Sequence, residues 1–281
     1  MSDSKDAPAT THDASTYTRY LRHVQYATPD NLQARIRLHA KYATSPITFT
    51  QWFFSKIDWS RAAVILDVGC GPGTLWASPP RALEANLTLC DQSAAMVRAA
   101  TATARGQVAR VSGVVGSVQT LPIAENVVDV VIANYMLYHA TDIDQAVGEL
   151  RRVLRPDGLL VAATNGPAHL TELAQIERDV MPEATYRDHR EIFGSISGRQ
   201  YLERHFTEVR WQPFEDELHC RDVEDVFAYI RSMPPGDHAT LTQQTSLRQE
   251  IETRMRQGHG VLRVTKDTGV FLARGPRAET R

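Results

Sequence analysis

The chain has 281 residues, enough to bury a large core in one domain with insertions or in two. Apolar residues make up 42% and charged residues 23%, an ordinary balance for a soluble globular protein, and a net charge of −2 lacks the basic excess of a nucleic-acid surface. Cys70, Cys90 and Cys220 show no metal-ligand spacing and suit a reducing compartment, and no run approaches the ~18 apolar residues of a membrane span. The expectation is a cytoplasmic protein with no nucleic-acid or membrane partner and no metal.

Residues 1–15 are small, polar and charged, and read as a disordered tail. Residues 16–60 read as an N-terminal helical lid. Tyr17 and Tyr20 open it with aromatic bulk, and Thr28-Pro29-Asp30-Asn31 makes a cap-like start for a helix carrying Ile36, Leu38, His39 and Tyr42. Arg35, His39 and Tyr42 fall on neighbouring turns of one face of that helix. A third helix, Ile47 to Ile57, carries Trp52, Phe53 and Phe54.

Val64–Val68 is a short apolar run, the pattern of a strand buried on both faces of a parallel sheet. It runs straight into Gly69-Cys70-Gly71-Pro72-Gly73, whose alternating glycines let the chain turn and bring bare backbone against a ligand. A helix is expected to begin near Thr74, with its first N–H groups turned into the same space. Asp67 lies two residues before the first glycine, where a carboxylate repels a pyrophosphate but attracts an ammonium or sulfonium group. The next strand, Leu87 to Cys90, ends in Asp91, which can accept hydrogen bonds from both hydroxyls of an unphosphorylated ribose. Glycine turn and acidic strand end together resemble motif I and the following acidic position of class I S-adenosylmethionine-dependent methyltransferases, small-molecule (secondary-metabolite) branch. In such enzymes N-terminal helices can bring residues like Arg35, His39 and Tyr42 to the methionine carboxylate.

Ser93 is placed to cap a helix through Met96, Val97 and Ala100, and Arg110–Val118 reads as the third strand with its exit turn. The resemblance implies an acidic residue after Gly116 to receive the adenine amino group. Ser117 stands there, with one hydroxyl acceptor and the backbone of Val118 beside it. Val127–Ala133 is a continuous β-branched run, and Asn134, Tyr135, Tyr138 and His139 follow at its C-terminal end, where open α/β sheets place ligands. The absence of Asn-Pro-Pro-Tyr here speaks against methylation of nucleic acids. Asp142 caps a helix with Ile143, Ala146, Val147, Leu150 and Val153 on one face, then a turn at 155–158 leads to a fifth strand, Leu159 to Ala163. The resemblance covers about Arg61 to Asn165.

Beyond Asn165 the pattern loosens. Helices are expected over about 168–180, from Gly198, over Asp222–Ser232 and over about 239–257, with strands at Thr207–Phe214 and Gly269–Arg274. The whole reads as a doubly wound, Rossmann-like seven-stranded α/β fold over 61–281, with cap insertions at about 166–205 and 215–266 and two antiparallel strands closing the sheet.

The resemblance implies S-adenosyl-L-methionine as cofactor, held by Asp67, Gly69, Cys70, Gly71, Asp91, Gln92, Met96, Ser117, Val118, Asn134, Tyr135 and His139. It implies methyl transfer to a small, largely apolar or aromatic metabolite, in secondary metabolism, with the O-, N- or C-acceptor open and self-association compatible. His139 is the candidate general base, since it sits where substrate approaches and titrates near neutrality. Tyr17, Tyr20, Tyr138 and Phe193 are candidates for the substrate pocket, while His189, His205 and His219 lie in the cap, where they read as solvated surface residues, with polarisation of the substrate as the alternative role. Two alternatives stay open: a non-catalytic S-adenosylmethionine-binding module, for which Ser117 speaks, and a nicotinamide-dependent oxidoreductase, against which Asp67 and the glycine spacing speak.

Overall fold

A computed structural model describes residues 29–79, 82–184 and 188–276. The expected tail, together with Tyr17, Tyr20 and Tyr186, lies outside the described residues. The strands are β1 (Val64–Val68), β2 (Leu83–Asp91), β3 (Val108–Val115), β4 (Val128–Asn134), β5 (Leu154–Asn165), β6 (Phe206–Phe214), β7 (Glu217–Cys220), β8 (Leu262–Thr265) and β9 (Thr268–Pro276). The helices are α1 (Pro29–Tyr42), α2 (Phe49–Phe54), α3 (Ala94–Ala104), α4 (Ile143–Val153), α5 (Thr171–Val180), α6 (His189–Phe193), α7 (Ser197–His205), α8 (Val223–Ile230) and α9 (Leu241–Gln257). They fall into two compact units. A sheet unit comprises Pro46–His169, His189–Glu215 and the described residues from Asp267 on, and a helical unit comprises the described residues up to Ser45, Leu170–Asp188 and Asp216–Lys266.

In the sheet unit seven strands run in the order β3-β2-β1-β4-β5-β9-β6. The first five pair in parallel, and β9 is antiparallel to both β5 and β6. β9 therefore runs against the rest, and with β6 it makes the antiparallel pair expected to close the sheet. Because side chains alternate across a strand, the buried runs split cleanly between two faces. Leu66, Val131, Ala133, Leu160, Ala162 and Phe271 pack with α4, Phe193 and Leu202 on one side. Ile65, Val130, Ile132, Leu159, Val161 and Val270 pack with Trp52, Phe53, Phe54 and Ala100 on the other. Helices on both faces make this a doubly wound sheet, as expected.

The helices start where the caps predict. Ser93 accepts the Met96 N–H, and Asp142 accepts the Gln145 N–H at 2.9 Å. One expected helix is missing. After the glycine turn the chain makes only a 3-10 turn, Thr74–Trp76, because Ser78-Pro79-Pro80 follows at once and proline neither continues a helix nor lets its predecessor do so. The lid and first insertion are also drawn differently from the expected boundaries. Residues 46–60 and α6–α7 belong to the sheet unit, since Trp52, Phe53 and Phe54 fill one of its cores and Phe193 and Leu202 the other.

The helical unit gathers α1, α5, α8 and α9 around Leu38, Leu173, Ile176, Val226, Leu247 and Ile251. A two-stranded antiparallel pair, β7 with β8, adds Leu218 and Val264 to that core. Asp216 forms a buried ion pair with Lys266 and also accepts the N–H groups of Thr44 and Ser45, each at 2.9 Å. Asp225 receives Lys41 at 2.6 Å and the Tyr42 hydroxyl at 2.8 Å. The α1 face proposed to meet a carboxylate is thus occupied otherwise. Tyr42 is committed to Asp225, and the His39 ring lies edge-on to Tyr229 at 6.0 Å, where burial pushes its pKa down to about 4 and leaves it uncharged at neutral pH.

Candidate functional site

The C-terminal edge of the sheet carries the candidate residues of β1, β2 and β4. All three glycines of the turn take positive φ, at 63°, 53° and 79° for Gly69, Gly71 and Gly73. Their surroundings separate their roles. A Cβ on Gly69 would lie 2.7 Å from Met136 Cβ, and one on Gly73 would lie 2.7 Å from Ala100 Cα, so these two permit packing against the next elements. A Cβ on Gly71 would meet nothing within 4 Å, so this residue presents bare backbone to open space. That is the cradle a ligand would use.

Asp91 ties this cradle to α3. Its Oδ2 accepts the Gly71 N–H at 3.1 Å and its Oδ1 accepts the Ser93 N–H at 2.8 Å. A carboxylate oxygen has room for further bonds, so both oxygens remain able to receive ribose hydroxyls. Gln92 follows on the bend before α3, and Met96 stands in the first turn of that helix. Cys70 donates its N–H to the Cys90 carbonyl at 3.1 Å. Burial, with Asp67 and Asp91 adding to it, pushes the Cys70 thiol far up, so it stays protonated and is a small wall residue, not a nucleophile.

Asp67 is 3% exposed at the end of β1, between Leu89 of β2 and Ile132 of β4. Its Oδ2 accepts the Trp76 indole N–H at 2.7 Å. Burial, opposed by that bond and reinforced by the Asp91 charge, raises its pKa to about 7. The buried amide oxygen of Asn134, at the end of β4, has no hydrogen-bond partner among the described residues. One buried carboxylate and one orphaned amide oxygen are acceptors suited to an ammonium group. Together with the open face of Gly71 and the carboxylate of Asp91, they fit the amino-acid and ribose ends of S-adenosylmethionine.

Ser117 uses its hydroxyl locally, accepting the Gln119 N–H at 3.2 Å, and the Val118 side chain is buried, so its backbone is what can face a base. Tyr135 adopts φ 51°, a conformation unusual for a bulky residue, and its hydroxyl bonds Thr268 Oγ1 at 2.6 Å. Burial holds its phenol protonated, so it is a fixed wall and not a proton carrier.

His139 ends a 3-10 turn, Leu137–His139. The Tyr138 ring lies 4.5 Å from the His139 ring and stacks on His189 at 4.8 Å, and the two imidazoles are 5.7 Å apart. His189, read as a surface residue of the cap or as a group polarising the substrate, opens α6 in the sheet unit beside the candidate base. No local signal marks it, because the contact joins residues 50 positions apart whose placement depends on α6 packing to the sheet. His205 instead meets Asp144 at 3.3 Å, and His219 meets Glu217 at 3.1 Å. Phe193 is a correction. It is fully buried beside Phe271 and Gly198 and its carbonyl accepts the Thr164 hydroxyl, so it is core and cannot line a substrate pocket. No group of three or more metal-ligating side chains, and no helix long and apolar enough to cross a membrane, occurs among the described residues.

Residues 66–162 match the family model described as a methyltransferase domain. The chain is 35% identical over 176 residues to a malonyl-[acyl-carrier protein] O-methyltransferase of Pectobacterium atrosepticum, covering 60% of this chain and 62% of that one. It is 36% identical over 121 residues to a protein of the same name from a Methylovorus species, covering 41% of this chain and 40% of that one. The chain therefore spans about half the length of these curated relatives. Among solved structures, the YcgJ protein of Bacillus subtilis is similar in fold, with a TM-score of 0.52 and 15% identity over 82% of this chain and 98% of that one.

Proposed function

Since this chain carries a class I S-adenosylmethionine-dependent methyltransferase domain, we propose that the protein transfers a methyl group from S-adenosylmethionine to an oxygen of a small, largely apolar organic acceptor. The observation that carries this reading is the Asp91 carboxylate bonded to the open Gly71 backbone, with the acceptors Asp67 and Asn134 at the neighbouring strand ends. The cofactor supplies the activated methyl and its own leaving group. The chain's part is to hold ribose at Asp91, the ammonium at Asp67 and Asn134, and the acceptor beside Tyr138 and His139 while water is kept out. An acceptor hydroxyl would give its proton to His139, whereas a carboxylate acceptor needs no base.

Oxygen as the methylated atom is supported by the relatives, which are named as O-methyltransferases acting on a malonyl group borne by acyl-carrier protein. A small apolar or aromatic metabolite of secondary metabolism is the other acceptor class within the same chemistry. The test is isothermal titration with S-adenosylmethionine and S-adenosylhomocysteine, followed by transfer of labelled methyl to malonyl-acyl-carrier protein and to a panel of free acids and phenols. Binding of both nucleosides with transfer to one class supports the reading and names the acceptor. Binding without any transfer would favour a non-catalytic module, the reading that Ser117 supports, and no binding by folded protein would overturn the proposal.

A further inference from the structure

The tryptophan at position 76 is placed by the missing helix. Gly73 accepts the Trp76 backbone N–H at 2.9 Å to close a single 3-10 turn, and the prolines beyond it stop the turn from growing. This short turn buries the indole completely, edge-on to Phe54 at 5.7 Å, with its N–H on Asp67. Among the described residues no other donor reaches the Asp67 side chain. A tryptophan whose N–H ends on a buried carboxylate holds that group in one orientation with a neutral donor, which orients charge without neutralising it.

We propose that Trp76 is a positioning residue for the cofactor site: its indole N–H fixes Oδ2 of Asp67, leaving Oδ1 for the ammonium group of S-adenosylmethionine. This deepens the functional reading above and rests on it. A site that binds a cation through a buried carboxylate must keep that carboxylate ionisable. Asp91 on β2 opposes ionisation by its charge, the thiols Cys70 and Cys90 stay neutral because burial raises both, and the adjacent residue of β4, Ile132, carries no charge. The indole is the one group here that favours the charged form. Binding of the ammonium then requires Asp67 to be deprotonated, so affinity rises with pH through the carboxyl's midpoint near 7, where half of it is ionised.

The experiment measures Kd for S-adenosylmethionine by titration calorimetry between about pH 5.5 and 7.5, below the range, about 8, where an amine of this type loses its own proton. Wild-type affinity should tighten by up to about tenfold per pH unit on the acid side, and this slope should begin to flatten only above pH 7. Trp76→Phe keeps most of the packing and removes the donor, so its profile should shift to higher pH by about one unit, with binding weakened about fivefold at pH 7. Asp67→Asn retains an acceptor for the indole and should give a flat profile. In the cofactor-free wild type, the Trp76 indole N–H resonance should titrate with a midpoint near 7 and should not do so in Asp67→Asn. Parallel wild-type and Trp76→Phe profiles, or an indole resonance blind to pH, would overturn the positioning role while leaving the methyltransferase reading intact. Wild-type protein that binds no S-adenosylmethionine at any pH would remove both.

Discussion

Asp216 of the helical unit and Asp67 of the sheet unit both bury their carboxyl groups, the first with 1% of its side chain exposed on a partly exposed backbone and the second with 3% of the whole residue exposed. Their settings are opposite. Asp216 faces the Lys266 ammonium and backbone N–H groups of Thr44, Ser45 and Glu217, which hold it charged and below the ordinary carboxylate range despite burial. Asp67 has a single neutral donor and a like charge nearby, so burial prevails and its pKa rises to about 7. Asp225 follows the first pattern, lowered by Lys41 and Tyr42, while Glu177, raised by burial to about 8, departs from it within the same unit. A buried carboxylate supplied with all its partners is a strut. One left short of partners at a sheet edge is a place where a cation can bind, and protein stability is spent there on function.

The largest effect should come from breaking the strut. Asp216→Ala removes the carboxylate that meets Lys266 and accepts the N–H groups of Thr44, Ser45 and Glu217, and should cost about 3–5 kcal/mol in urea denaturation. A loss no larger than that of a surface substitution would break the comparison. Replacing Asp67 should do the reverse. Between about pH 4 and 7 the folded protein keeps a proton on Asp67 that the unfolded chain has released, so this group makes stability fall as pH rises, and Asp67→Asn should add about 2–4 kcal/mol at pH 8. Asp216, whose pKa is lowered, contributes stability that is present above the ordinary carboxylate pKa and is lost as pH falls, so the two variants should change the pH dependence with opposite sign.

Function sharpens the contrast at smaller scale. If an acceptor hydroxyl is deprotonated at the site, His139→Ala should lower turnover about 100-fold with cofactor binding retained, whereas a loss confined to binding would make the imidazole a contact residue. Asp91→Ala should weaken S-adenosylmethionine by about 1–3 kcal/mol in calorimetry. Tyr135→Phe, which removes one hydroxyl from Thr268 while leaving the ring wall, should cost only about 1 kcal/mol of stability in thermal melts.

Much of the sheet and of the glycine turn at its edge was legible beforehand because both are written locally. Gly71 is needed for its own φ and for the empty space in front of it, and Asp91 reaches the turn because parallel register sets β2 beside β1. Phe193 misled for the same reason that the two roles open to His189 could not be told apart. In a segment without strong periodicity nothing distinguishes an aromatic that enters the core from an imidazole that stays at the edge until α6 is docked. The β7–β8 pair escaped because each strand is only four residues long and its partner lies more than forty positions away.

Taken alone, the order of residues determined the buried parallel strands, the positive-φ turn and the helix starts at Ser93 and Asp142, because each depends on contacts within a few positions along the chain. Tertiary structure alone decided that α6 and α7 join the sheet unit, that His189 stacks on Tyr138, and that the turn ending at Trp76 delivers an indole to Asp67. Those outcomes are settled by which distant surfaces exclude water together, and burial of that kind has no period in the sequence.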